Sequence, residues 1–135
     1  MRGADSGSWA NICALPAYWV GLLYDEDALH EAAALVRDIG AKDVMAGRLS
    51  VAKDGLRGKL GPYDVYDLAA KTLDLAFSGL RRRGIFDDSG NDETGFLQPL
   101  RAVISSKKTP AEIMLDHYYG DWEKNIDQVF TSNQY

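Results

Sequence analysis

His30, His117, Cys13, the run Arg81-Arg82-Arg83 and the acidic stretch "DDSGNDETG" (Asp87 to Gly95) are the side chains of this 135-residue sequence that could do chemistry by type. Imidazole and thiolate serve as bases, nucleophiles or metal ligands. Guanidinium groups grip phosphate, and clustered carboxylates hold hard cations. The spacing supports little of this. The two histidines lie far apart in different expected helices, and neither has a partner at metal-ligand spacing. His30 sits within an acidic helix, so a surface position is expected. The carboxylates of Asp87 to Gly95 do not follow the D-x-[DN]-x-[DN]-G calcium pattern, and a solvated loop is expected there. A single cysteine excludes an internal disulfide framework, and Cys13 reads as a small buried apolar group. No G-x-S-x-G elbow, P-loop or G-x-G-x-x-G fingerprint occurs. From the residues alone, no active site is complete.

The elements that would position these groups are helical almost throughout. Met1 to Trp9 is small, polar and glycine-bearing, an extended lead-in. Pro16 suits the first turn of a helix, where its missing N–H costs nothing. Leu15, Trp19, Leu22 and Leu23 then form one broad apolar face. Asp25 caps a second helix with Leu29, Ala32, Ala33 and Val36 as its stripe, and Gly40 ends it. A weaker helix covers Ala41 to Val51, with Val44, Met45 and Leu49 inward. "KDGLRGKLGPYD", Lys53 to Asp64, is glycine-rich and reads as a loop.

The clearest helix follows. Asp64 is its N-cap, and Val65, Leu68, Ala69, Leu73, Ala76 and Leu80 keep helical spacing. Arg81, Arg82 and Arg83 complement the dipole of its last turn and Gly84 supplies the stop, so the triple arginine has a structural explanation alongside an anion site. A helix from about Phe96 to Ile104 comes next. "TPAE", Thr109 to Glu112, is a full start signal: threonine cap, proline at the first helical position, glutamate three after the cap. That helix runs to about Tyr118. Trp122, Val129 and Phe130 are expected to tuck back onto the bundle.

Composition bounds the function. The chain is 46% apolar and 26% charged, an ordinary globular balance, and its length suits one domain over residues 1–135. A net charge of −5 and a pI near 4.9 repel phosphate backbones and anionic lipid, which argues against nucleic-acid and membrane partners. The apolar run Ile12 to Tyr24 is shorter than the roughly 20 residues of a bilayer span, and Pro16 and Gly21 interrupt it.

Several long segments occur in a fixed order: "MRGADSGSW", "CALPAYWVGLLYD", "DETGFLQPL", "TPAE" and "LDHYYGDWEKNIDQVF". Together they resemble the C-terminal portion of glutamate–cysteine ligase of the plant and proteobacterial type, over nearly the whole chain. Departures are Ser6 and Ser8 where glycine and proline are common, Tyr18 for phenylalanine, and Asn125, Ile126 and Gln128 near the end.

The resemblance implies a mainly α fold: the helical C-terminal region of a glutamine-synthetase-like α/β ligase, with a short strand or extended lead-in at its N-terminus. It implies ATP-dependent joining of the glutamate side-chain carboxylate to the cysteine amine through a γ-glutamyl phosphate. ATP and Mg2+ would be held mostly by the N-terminal catalytic half, which is the expected partner. In the family an E-x-R element lies on a strand, its glutamate likened to a metal ligand and its arginine to a phosphoryl contact. Residues i and i+2 share one strand face, so both can point into one site. Arg2 matches that arginine, Met1 the residue between, and the glutamate would stand before Met1. The resemblance thus reads the chain as a C-terminal fragment, inactive alone, with Arg2 as its catalytic residue. Asp5 and Trp9 would shape the substrate site. Cys13 matches a cysteine that takes part in redox control in the plant branch. A cytoplasmic location is implied, or an organellar one for a plant source. Helices that brace the catalytic sheet should leave an apolar patch exposed here. The reading from residues alone, a non-catalytic helical interaction module, stands beside this one.

Overall fold

The computed structural model describes residues 7–132, with the side chain of Ser132 outside the description. It is mainly α. Among the described residues there are seven α-helices: α1 (Trp9–Leu23), α2 (Glu26–Leu35), α3 (Ala41–Asp54), α4 (Val65–Arg83), α5 (Gln98–Ser106), α6 (Pro110–Tyr119) and α7 (Gln128–Ser132). Between α3 and α4, β1 (Lys59–Leu60) and β2 (Tyr63–Asp64) pair antiparallel, with Lys59 opposite Asp64 and Leu60 opposite Tyr63. The stretch expected as a plain loop, Lys53 to Asp64, therefore holds the end of α3, a 3-10 turn over Gly55–Arg57 and this tight hairpin.

The core sits where α1 and α4 cross. Leu22, Leu73, Ala76, Leu80 and Leu97 form it, with Ala17, Tyr18, Phe77, Leu100 and Ile104 around the edge. Two glycines set the approach. A Cβ on Gly21 would collide with the Ala76 carbonyl oxygen, and one on Gly79 would fall on the Gly21 carbonyl oxygen. Only side-chain-free positions let the two backbones lie this close. α2 packs on α4 through the fully buried Ala28, and α5 closes the remaining side.

Local signals explain several boundaries. Thr109 and Glu112 form both halves of a capping box: the Thr109 N–H donates to Glu112 Oε2 at 2.8 Å, and the Glu112 N–H to Thr109 Oγ1 at 3.3 Å. α4 ends on Arg81-Arg82-Arg83 with Gly84 left-handed at φ 62°. Asp64 holds the N-cap position of α4, and its carboxylate pairs with Lys59 at 2.7 Å.

Other expectations are corrected. α1 begins at Trp9 with Ser8 as its cap, so Pro16 lies inside the helix rather than in its first turn. Trp9 is already helical, while residues 1–6 of the expected extended lead-in lie outside the described residues. α2 ends at Leu35, and Gly40 instead caps α3, its N–H donating to Asp43 Oδ2 at 2.9 Å. Leu29 and Val36 are exposed; the buried position of α2 is Ala28. Val44, Met45 and Leu49 of α3 point outward, and the helix instead seats Gly47 against Leu60 of the hairpin. Of the tail residues expected to tuck back, Trp122 and Val129 are half-buried, Trp122 stacking on His117 with ring centres 5.5 Å apart, whereas Phe130 is 71% exposed.

Candidate functional site

The sequence-predicted site residues divide at Gly7. Arg2 and Asp5 lie among residues 1–6, outside the described residues. Trp9 is the first residue of α1, one position after the Ser8 cap, and is 74% exposed. Cys13, one turn further on, is a free, half-buried thiol. Trp9 and Cys13 thus share the N-terminal turns of the helix that follows Arg2 and Asp5 in the chain.

That helix is held in place from α4. Tyr18 packs at the core edge; burial pushes its hydroxyl up, and a hydrogen bond with the Thr72 side chain partly offsets this. The tyrosine that departs from the family pattern therefore has a polar partner on the opposing helix. At the other end of α1, Asp25 does two things. Its carboxylate accepts from the Ala28 N–H at 2.9 Å, capping α2. It also takes a two-point grip from Arg82, with Nε to Oδ2 at 2.9 Å and a second nitrogen to Oδ1 at 2.5 Å. The Arg82 guanidinium first, and the Ala28 N–H second, hold the carboxyl down at about 2. Arg83 pairs with Glu93 at 3.1 Å and lies 5.9 Å from the centre of the Tyr24 ring. Two of the three arginines are thereby committed to fastening α1, α2 and the 93–97 turn to the end of α4. That is the structural role expected of the run.

The remaining candidates are placed as follows. The acidic loop is solvated, as expected: Asp87 to Asn91 are exposed, and the Asp87 carboxylate closes the turn by accepting from the Ser89 and Asn91 N–H groups, both at 2.9 Å. Asp92 caps the next turn through Thr94. Beside this loop an open dent of about 320 Å³ is lined by Ile85, Phe86 and Phe96 together with Asp87, Asn91, Asp92 and Glu93. His30 is exposed. His117 pairs with Asp121 at 3.3 Å on the surface. Among the described residues no group of three or more histidine, cysteine or acidic side chains could hold a metal ion.

What sequence reasoning missed is the surface of α1. The helix carries no charged side chain from end to end. Trp9, Ile12, Pro16, Trp19 and Leu23 recur at helical spacing on the side away from α4, and all five are exposed. The spacing puts Leu15, Trp19, Leu22 and Leu23 on one broad apolar face, which the structure splits: Leu15 is half-buried, and Trp19 and Leu23 are exposed. Only Leu22 is buried there. Elsewhere Ile113, Leu115 and Ile126 are likewise exposed, so the expected apolar surface is present.

Comparison with known proteins completes the description. Residues 1–132 match the model of glutamate-cysteine ligase family 2 (GCS2). The chain is 43% identical over 130 residues to glutamate–cysteine ligase A, chloroplastic, of Oryza sativa subsp. indica, covering 96% of this chain and 25% of that protein. It is 40% identical to the chloroplastic glutamate–cysteine ligase of Arabidopsis thaliana and 39% to that of Medicago truncatula, in each case covering 96% of this chain and 24% of the relative. The chain spans about a quarter of the length of the curated relatives it matches.

Proposed function

This chain belongs to glutamate-cysteine ligase family 2, and on that premise we propose that it is the C-terminal part of an ATP-dependent glutamate–cysteine ligase. The whole enzyme would phosphorylate the side-chain carboxylate of glutamate, and the cysteine amine would then displace phosphate to give γ-glutamylcysteine, the first step of glutathione biosynthesis. The observation that carries this reading is the similarity, continuous over 130 residues, to enzymes named for that activity. The thin core supports it too. Among the described residues seven apolar side chains are buried, while twenty large apolar ones are exposed, as expected for one layer of a larger protein.

In this reading Arg2 is the catalytic residue. A guanidinium fork stabilises charge on the equatorial oxygens of a transferring phosphoryl group. Asp5 and Trp9 would shape the substrate pocket beside it. Cys13, half-buried and unpaired, would be the redox-responsive position. ATP and magnesium would be bound mostly by the remainder of the ligase, as the family resemblance implies. The relatives' names place them in the chloroplast, which supports an organellar location for a plant source; for any other source the reading is cytoplasmic. No helix of the described residues is long and apolar enough to cross a membrane.

The test is direct. Purified chain, supplied with ATP, magnesium, glutamate and cysteine, should form no γ-glutamylcysteine. The DNA upstream of Met1 should continue in frame through an E-x-R element. Turnover by the chain alone would overturn the claim that its site is incomplete, and a stop codon immediately upstream with a ribosome site before Met1 would favour the non-catalytic helical module.

A further inference from the structure

One side of α1 is buried against α4 through Ala14, Gly21 and Leu22; the other is bare. We infer that the bare stripe, Trp9, Ile12, Pro16, Trp19 and Leu23, is the face on which the rest of the ligase polypeptide docks, through an uncharged apolar surface of its own. The inference rests on the ligase reading and names the surface through which it works. A helix that is apolar all round is buried in a large protein or in a membrane. No helix of the described residues is long and apolar enough for the membrane case. The relatives carry about three quarters of their length outside the matched region, ample chain to cover the stripe. Two tryptophans in a five-residue patch are the kind of large, stiff anchors that dominate interface energetics. The stripe also begins at Trp9, where the chain leads back to Asp5 and Arg2. Docking it would fix the position of that segment relative to the rest of the enzyme.

Trp9 and Trp19 report on the stripe without mutation. A hybrid rice ligase, with this chain in place of its matching segment, is compared with the isolated 135-residue chain by hydroxyl-radical footprinting. Oxidation of both tryptophans should fall severalfold in the hybrid. Ile12→Glu with Leu23→Glu should restore that oxidation while leaving the helical content of the isolated chain unchanged, because neither side chain belongs to the buried core and each is already nearly half exposed. Equal oxidation in hybrid and isolated chain overturns the inference. So does protection in the isolated chain that disappears on dilution, which makes the occupant a second copy. Protection appearing only with phosphatidylcholine–phosphatidylglycerol vesicles also overturns it. The two readings fail separately. An active hybrid with unprotected tryptophans removes the docking face and keeps the ligase. A folded, inactive hybrid with protected tryptophans does the reverse, and one that is inactive and unprotected removes both.

Discussion

Gly21 and Gly79 meet backbone to backbone at the crossing of α1 and α4, with no room for a Cβ on either. The contact is backbone against backbone, so it cannot be relieved by a rotamer change. Gly79→Ala should destabilise the chain by about 1–3 kcal/mol or more, because added volume in a tight seam forces the helices apart. Gly95→Ala is the control: nothing lies within 4 Å of its Cβ position, and its effect should stay within about 0.5 kcal/mol. Urea unfolding of the two variants checks this, and equal midpoints would refute the close seam.

Tyr18 and Thr72 give a second reading of the same seam. Tyr18→Phe removes the hydroxyl that Thr72 meets and should cost about 1 kcal/mol, the net worth of one hydrogen bond. A variant as stable as the parent would mean the hydroxyl is satisfied equally well by water.

Acid should loosen two fastenings in one window. Asp25, gripped by Arg82 first and the Ala28 N–H second, has its carboxyl lowered to about 2. Glu112 is lowered to about 2 by the Thr109 N–H first, then the Thr109 hydroxyl and Arg57. Unfolded values are about 3.9 and 4.3. A folded pKa below the unfolded one means the stabilisation is fully present above pH about 4 and is lost as the pH falls towards about 2. The melting temperature of the parent should therefore fall more steeply across that window than that of Asp25→Asn with Glu112→Gln. Asparagine still caps a helix and glutamine still completes a capping box, so the comparison isolates the charge. Parallel curves would contradict it.

The sequence was most legible where one short segment decides the structure. Asp64, the periodic leucines and the Arg81-Arg82-Arg83-Gly84 ending marked α4 at both ends, and Thr109 to Glu112 marked the start of α6. It was least legible where tertiary contacts decide. Pro16 reads as a helix start by preference, yet α1 runs through it from Trp9. Gly40 looks like a stop and serves as a cap. The outward turn of Met45 and Leu49 follows from Gly47 seating on Leu60, which no periodicity in α3 announces. The Asp25–Arg82 pair joins residues 57 positions apart. For the candidate site, the resemblance supplied Arg2, Asp5, Trp9 and Cys13. The covered and bare faces of α1 needed the packing against α4 to be told apart.

Arg2 carries the proposed chemistry. In the hybrid ligase Arg2→Ala should slow γ-glutamylcysteine formation about tenfold to a hundredfold, the worth of a charge-assisted phosphate contact. The melting temperature should not move with it. An unchanged rate would take Arg2 out of the mechanism.

The claim that this chain is a working part of a glutamate–cysteine ligase is tested most directly by product formation in that hybrid. With ATP, magnesium, glutamate and cysteine, the hybrid should form γ-glutamylcysteine, as should the intact rice enzyme. The isolated chain, and rice ligase lacking the matching quarter, should form none. A folded hybrid that forms no product beside an active rice control, or a truncated ligase that works without any such segment, would contradict the account.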